Sequence, residues 1–351
     1  MRFIQNRTSI PIPPIHDFCV TPENTFGRPY TLMERVKGTQ LCKVWFYPVW
    51  FTEEHRKTVF RSLVSAMSQL RALEFSAIGG LDFDTDTGSH VVVPLLPSLA
   101  DISNGNTIET RPYTTVHAYL LGEIPRQTTS ARSLDHKISL SLLRMFAGAL
   151  PDTSFDGPPF VLSMPDFNYQ NIFVDDNGQV TSLIDWDDIF AGPRQGGYAR
   201  YPSWITRDWD PLMYGYPTVD EPSCDSESEG DESESNKDES TLASKDGTTK
   251  KDGEIPSREE LQEDSPSALQ AFRAEYLAIF EQVDLASARY MRDSHVYEAV
   301  KIATFSPFCR GHILGKLTKY VFGKGENEKS GHTFSAWSLK EGIRVGDWVN
   351  G

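Results

Sequence analysis

The chain has 351 residues, enough on the usual size prior for about two domains, and its 39% hydrophobic content suffices for a real core. Its net charge of −15 is unevenly spread, because residues 220–265 hold 17 acidic and 5 basic side chains, a net −12, which leaves the remainder near −3. A nearly neutral folded part gives no electrostatic case for nucleic acid or an anionic membrane surface.

No run approaches the ~18 apolar residues of a membrane span, and the N-terminus lacks the apolar core of a signal peptide. The four cysteines, Cys19, Cys42, Cys224 and Cys309, are far apart and fit neither a metal nor a disulfide spacing. These features predict a cytoplasmic protein with free thiols.

In chain order, Thr8 to Pro14 (TSIPIPP) is a proline-locked extended segment that ends any helix before it. Ile15 to Val20 and Pro29 to Val36 are short strand-like runs around a turn at Pro22 to Gly27. The residues alone predict an antiparallel pair there. Over residues 51–75, Val59, Leu63, Ala66, Met67, Leu70 and Leu73 recur at three- and four-residue steps, with Thr52 before Glu53 and Glu54 as a start. That stripe is a core helix. Phe75 to Leu81 turns into a strand, and residues 84–115, rich in Asp, Thr, Gly, Asn and Pro, read as loop with short strands. Ile138 to Leu150 is a second apolar helix, stopped by Pro151.

Phe160 to Trp186 carries the chemistry. It holds Asp166, then Asn171, then Asp185, with β-prone runs at Asn171 to Val174 and Gln179 to Ile184 joined by Asp176-Asn177-Gly178. A hairpin folds its ends together, so Asn171 and Asp185 should meet, with Asp166 on the loop just before. Two hard oxygens beside a third carboxylate is what Mg²⁺-dependent phosphoryl transfer requires, since Mg²⁺ takes one or two protein ligands and fills the rest with water and phosphate. The free carboxylate can then orient a hydroxyl and accept its proton. An Asp-Asn-Gly hairpin taken singly often binds nothing; it is the combination that points to a catalytic loop.

Beyond it, Asp187 and Asp188 are extra carboxylates, read as solvated strand-end charges or as additions to a site. Tyr198, Tyr201, Trp204, Trp209 and Tyr214 form an aromatic run suited to packing under a lobe. From Asp220 to Ser265 there is no Phe, Tyr or Trp, so the segment is expected to be a disordered insert and a candidate surface for a protein partner. Within it Ser226, Ser228 and Ser235 each have an acidic residue three positions on, which suits acidophilic kinases. Pro266-Ser267 starts a helix with Leu269, Phe272, Tyr276 and Phe280 on its apolar face, and Tyr297 to Thr304 and His312 to Val321 suggest two more.

The order Asp166, Asn171, hairpin, Ile184-Asp185-Trp186 resembles the catalytic and metal loops of the aminoglycoside phosphotransferase-like family, a branch of the protein-kinase-like fold. Its members show H-G-D-x-x-x-x-N, a hairpin, then I-D-W or I-D-F. Thr8 to Pro13 followed by Tyr30 to Glu34 and Gly38 resembles that family's last small-lobe strands and hinge, and Phe75 to Leu81 its F-x-x-I-G-x-L element. The resemblance covers roughly residues 8–220 and 266–322. It implies an α+β, protein-kinase-like fold with a helical large lobe, a catalytic hairpin and a truncated β small lobe. ATP and Mg²⁺ would be the cofactors and a small-molecule hydroxyl the acceptor. Asp166 would be the catalytic base, Asn171 and Asp185 the Mg²⁺ ligands, and the backbone of Glu34, Arg35 and Val36 the adenine-binding hinge.

The layout this implies is 1–36 for the small-lobe remnant and hinge, 37–219 and 266–322 for the large lobe, 220–265 for the insert and 323–351 for a tail. Met164 and Pro165 stand where the family has His and Gly. Such a small lobe begins with a glycine-rich hairpin and a lysine-bearing strand, and no lysine precedes Lys37. Two expectations follow: a longer natural product with that lysine upstream, and, in the chain as written, an uncovered hinge pair exposing Ile10, Ile12 and Leu32. A catalytically inactive kinase-like scaffold is the alternative to an enzyme.

Overall fold

The computed structural model describes residues 1–84, 89–96, 111–130, 133–150, 153–209 and 263–322. The chain divides into two units, Met1–Tyr216 with Ser265–Gly351, and Pro217–Asp264. The acidic insert lies outside the described residues but for its last three positions, and the tail from Gly323 lies wholly outside them.

The chain opens on a single helical turn, α1 (Arg2–Gln5), which the sequence pattern does not announce. Ile4 is fully buried, and Gln5 Nε2 donates to the Pro13 carbonyl at 2.9 Å, so the turn folds back on the proline segment. The next two runs pair as expected: β1 (Ile15–Cys19) lies antiparallel to β2 (Tyr30–Met33) as a two-stranded ribbon. The expectation that Ile10 and Ile12 are uncovered is wrong. They are 5% and 7% exposed, because the Pro11 carbonyl accepts from Leu183 N at 2.7 Å and docks the segment on the hairpin around Gly178. Leu32 alone of the three stands out, at 55%.

After β3 (Thr39–Gln40) and the short α2 (Leu41–Val44) comes α3 (Glu53–Met67). Thr52 caps α3 by accepting from His55 N, and Val59, Phe60, Leu63, Val64, Ala66 and Met67 are buried. β4 (Glu74–Phe75), β5 (Gly79–Asp84) and β6 (Ser89–Val93) follow. A helix left unread in the sequence, α4 (Val116–Ser130), precedes α5 (Leu134–Ala149), whose Ser133 cap starts it four residues before the apolar stripe. β7 (Phe160–Ser163) enters the stretch that holds Asp166, Asn171 and Asp185, β8 (Ile172–Val174) and β9 (Val180–Leu183) form its hairpin, and β10 (Phe190–Gly192) leaves it. The helical end comprises α6 (Pro266–Val283), capped by Ser265, then α7 (Ala288–Arg292), α8 (Ser294–Phe305) and α9 (Arg310–Phe322).

The larger sheet is antiparallel, in the order β4-β7-β10-β5-β6, and a smaller one runs β3-β8-β9. One apolar cluster joins α3, the hairpin and α6, and a second joins α4, α5, α8 and α9. Tyr198, Tyr201, Trp204 and Trp209 are all buried between these elements, with Trp204 edge-on to Trp45 at 5.6 Å. They pack as the sequence suggests; Tyr214 lies outside the described residues.

Candidate active site

Every residue of β7 is buried, and the strand delivers the chain past Met164 to Asp166. There the backbone turns on itself. Asn168 N donates to the Asp166 carbonyl at 3.0 Å, Asn171 N donates to the Asn168 carbonyl at 3.0 Å, and the Asn168 side chain caps the 3-10 turn Tyr169–Asn171. The hairpin then returns. Ile172 pairs with Leu183, and Ile184 N donates to the Asn171 carbonyl at 3.0 Å, which brings Asp185 back beside the loop. Gly178, at φ +80, makes the turn; a Cβ there would sit 2.8 Å from the His55 carbonyl oxygen.

The three residues singled out in the sequence meet at one amide. Asn171 Nδ2 lies 2.8 Å from Asp166 Oδ2, 3.1 Å from the Asp166 carbonyl and 3.5 Å from Asp185 Oδ2. Gln170 Nε2 gives Asp166 Oδ2 a further hydrogen bond at 3.0 Å. Asn171 is buried and Asp185 exposed, so the pair of carboxylates opens outward from a fixed floor. Asp185 holds φ +60, a left-handed conformation that strains an ordinary L-residue by about 1–2 kcal/mol and that Asp tolerates better than most. Trp186 anchors it from behind, buried and donating Nε1 to the Leu183 carbonyl at 3.0 Å. Asp187 and Asp188 are exposed.

Sequence reasoning missed what holds this loop. Arg200, 3% exposed, donates Nη2 to the Pro165 carbonyl and to Ser203 Oγ, each at 3.3 Å, and its guanidinium lies 5.7 Å from the Phe167 ring. It therefore braces the residues on both sides of Asp166. Glu298 pairs with Arg200 at 3.7 Å and with Lys301 at 3.3 Å; burial would push the Glu298 carboxyl up, yet Lys301 and Arg200 hold it below the usual range. Only an Arg set among Tyr198, Tyr201 and Trp204 hinted at this.

The hinge residues line a different cleft. Glu34, Arg35 and Val36 face Pro11 to Pro14, Lys37, Thr181 and Ser182 around a space of about 130 Å³. Glu34 N donates to the Pro14 carbonyl at 2.8 Å, and Thr181 Oγ1 donates to the Lys37 carbonyl at 2.8 Å. Gly38, at φ +93, lets the chain pass against β8, where a Cβ would lie 2.5 Å from the Val174 carbonyl oxygen. From Ser182 in this cleft to Asp185 the chain advances three residues, roughly 10 Å at strand rise.

Two adjacent carboxylates repel, and a divalent cation relieves that repulsion. Asp185 and the Asn171 amide are hard oxygen donors of the kind Mg²⁺ takes. Among the described residues no group of three or more His, Cys, Asp or Glu is placed to hold a metal, so a cation here would complete its shell with water and phosphate.

A carboxylate-bearing loop after a buried strand, a hairpin closing on a second carboxylate and a helical lobe behind them define the protein-kinase-like α+β fold. Residues 1–211 match the model of the Phosphotransferase enzyme family, and the chain belongs to that family. No curated protein matches. The solved structures it is similar to include an apo thermostable mutant of aminoglycoside phosphotransferase APH(4)-Ia, 18% identical, with 56% of this chain and 57% of that one covered and a TM-score of 0.35. A ternary complex of a mutant of the same enzyme with AMP-PNP and hygromycin B is 13% identical, covers 93% and 82%, and has a TM-score of 0.43. A macrolide 2'-phosphotransferase type I is 12% identical, covers 92% and 76%, and has a TM-score of 0.37. The chain thus spans just over half the length of the first of these, and the family assignment rests on the match of residues 1–211.

Proposed function

We propose that this chain is an ATP- and Mg²⁺-dependent phosphotransferase whose acceptor is a hydroxyl of a small molecule. The observation that carries the reading is the single Asn171 amide within reach of both the Asp166 and Asp185 carboxylates. Asp185 and the carbonyl oxygen of the Asn171 side chain would hold Mg²⁺, which supplies charge neutralisation between the phosphate oxygens. Asp166, fixed by Asn171 and Gln170, orients the acceptor hydroxyl and takes its proton as the oxygen attacks. Arg200 keeps that carboxylate in register from behind. The hinge cleft would take the adenine: with Glu34 N engaged by Pro14, the Glu34 carbonyl and the backbone of Arg35 and Val36 are its partners.

Cys19 and Cys42 are free thiols, which suits work in the cytoplasm. Among the described residues no helix is long and apolar enough to cross a membrane.

ADP release measured against a panel of small hydroxyl compounds tests the reading. Asp166→Asn should lower acceptor-dependent turnover on the order of 10²–10⁴-fold, the usual contribution of a general base. Equal turnover in the variant contradicts the assignment. A second reading, a kinase-like scaffold that turns nothing over, is favoured by Met164, a buried apolar side chain where the family carries His. Mg-ATP binding without turnover on any acceptor would place that reading ahead.

A further inference from the structure

A concavity with mixed chemistry lies away from the carboxylates. It is about 390 Å³, within the range of small-molecule sites, and sits where the end of α5, the turn around Phe155, Gln195, α7 and the first turn of α8 converge. Phe155 precedes β7 and Asp166 follows it, so the two sites lie at opposite ends of that strand.

Its walls are aromatic and its rim is cationic. Phe155 and Tyr290 meet edge-to-face with centroids 4.3 Å apart, and Tyr297 and Val296 continue the wall. Arg289 lies 5.0 Å from both the Phe155 and Tyr290 rings and donates Nη2 to Tyr290 Oη at 3.0 Å. Arg292, one turn further along α7, is 63% exposed and paired only loosely, at 3.5 Å, with Glu281. With Asp293 the charged lining sums to one positive charge. Burial would raise the Tyr290 phenol, but the hydrogen bonds from Arg289 and Arg194 bring it below its ordinary value.

We propose that this cavity is a second ligand site, for a small aromatic acid: a planar ring against Phe155, Tyr290 and Tyr297, its carboxylate or sulfonate held by Arg289 and Arg292. The site stands whether or not the chain turns over ATP.

Fluorescence titration of the full chain tests it. The probe is 8-anilinonaphthalene-1-sulfonate, compared with uncharged N-phenyl-1-naphthylamine, which has the same ring body. The sulfonate should bind saturably with one equivalent, at least tenfold tighter than the neutral probe, and 4-hydroxybenzoate should displace it. Arg289→Glu and Arg292→Glu should each weaken the sulfonate at least tenfold while leaving the neutral probe within twofold. Arg292 is exposed, so its variant keeps the test sound if Arg289→Glu does not fold. Equal binding of the two probes, or sulfonate binding indifferent to Arg292→Glu, overturns the proposal; the latter is also what dye lying on exposed Phe18 and Phe26 would give.

Discussion

Two antiparallel pairs in this molecule, β1–β2 and β8–β9, have similar local make-up and opposite surroundings. Both join β-prone runs through a turn with a positive-φ glycine, Gly27 in one and Gly178 in the other. In the hairpin β8–β9, Ile172, Val174, Val180 and Leu183 are buried in the main cluster, and β3 pairs along its outer edge. In the ribbon β1–β2, Phe18 is 48% exposed and Leu32 55%. The lesson is that strand pairing locates residues, while burial fixes them. The carboxylates of the candidate site hang on the pair that is fixed, and the hinge joins the two.

Breaking each pair should show the difference. Leu183→Ala, at a fully buried position, should lower unfolding free energy by about 2–5 kcal/mol, whereas Leu32→Ala on the ribbon should stay within about 0.5 kcal/mol. Urea unfolding of both variants checks this, and similar losses would show that the ribbon is as firmly packed as the hairpin.

Acid sharpens the contrast at the helical end. His295 packs against Trp209 and Tyr201, and burial, with Arg273 and Lys316 adding to it and Asp208 opposing, takes its pKa from 6.5 to about 4. The folded state therefore resists a proton that the unfolded chain accepts. Stability from this group is complete above pH 6.5 and drains as pH falls toward 4, by about 3 kcal/mol in all. His295→Gln should flatten that part of the profile in unfolding measured between pH 7 and pH 4.5; an unchanged slope would remove His295 as its source.

The smallest contrast is between the turn glycines. Gly27→Ala meets open space and should cost only the left-handed strain, about 1 kcal/mol. Gly178→Ala adds a collision with the His55 backbone and should cost about 1 kcal/mol more, read as a further drop in melting temperature. Equal drops would mean that the hairpin turn can move off α3.

What the sequence reveals follows the same division. The helix Glu53–Met67 with its Thr52 cap, the hairpin around Gly178, and the helix begun by Ser265 and Pro266 are each written in a few adjacent residues. The meeting of Asp166, Asn171 and Asp185 is legible too, because a hairpin makes it a local event. The burial of Ile10 and Ile12 is not, since it depends on Leu183, far along the chain. Nor is the Arg200 brace, which joins the Asp166 loop to α8. The helix Val116–Ser130 escapes notice because Gly122 and Pro125 interrupt its pattern. The left-handed Asp185 has no sequence signal at all.

The central claim is that Asn171 and Asp185 form, with Asp166 beside them, a Mg-nucleotide site. Isothermal titration of the full chain with ATP, with and without Mg²⁺, tests it most directly. The account predicts one-site binding that requires Mg²⁺ and is lost in Asp185→Ala, while Asp166→Asn, which leaves the metal ligands in place, still binds. Absence of Mg-ATP binding by the intact chain, or undiminished binding by Asp185→Ala, would contradict it.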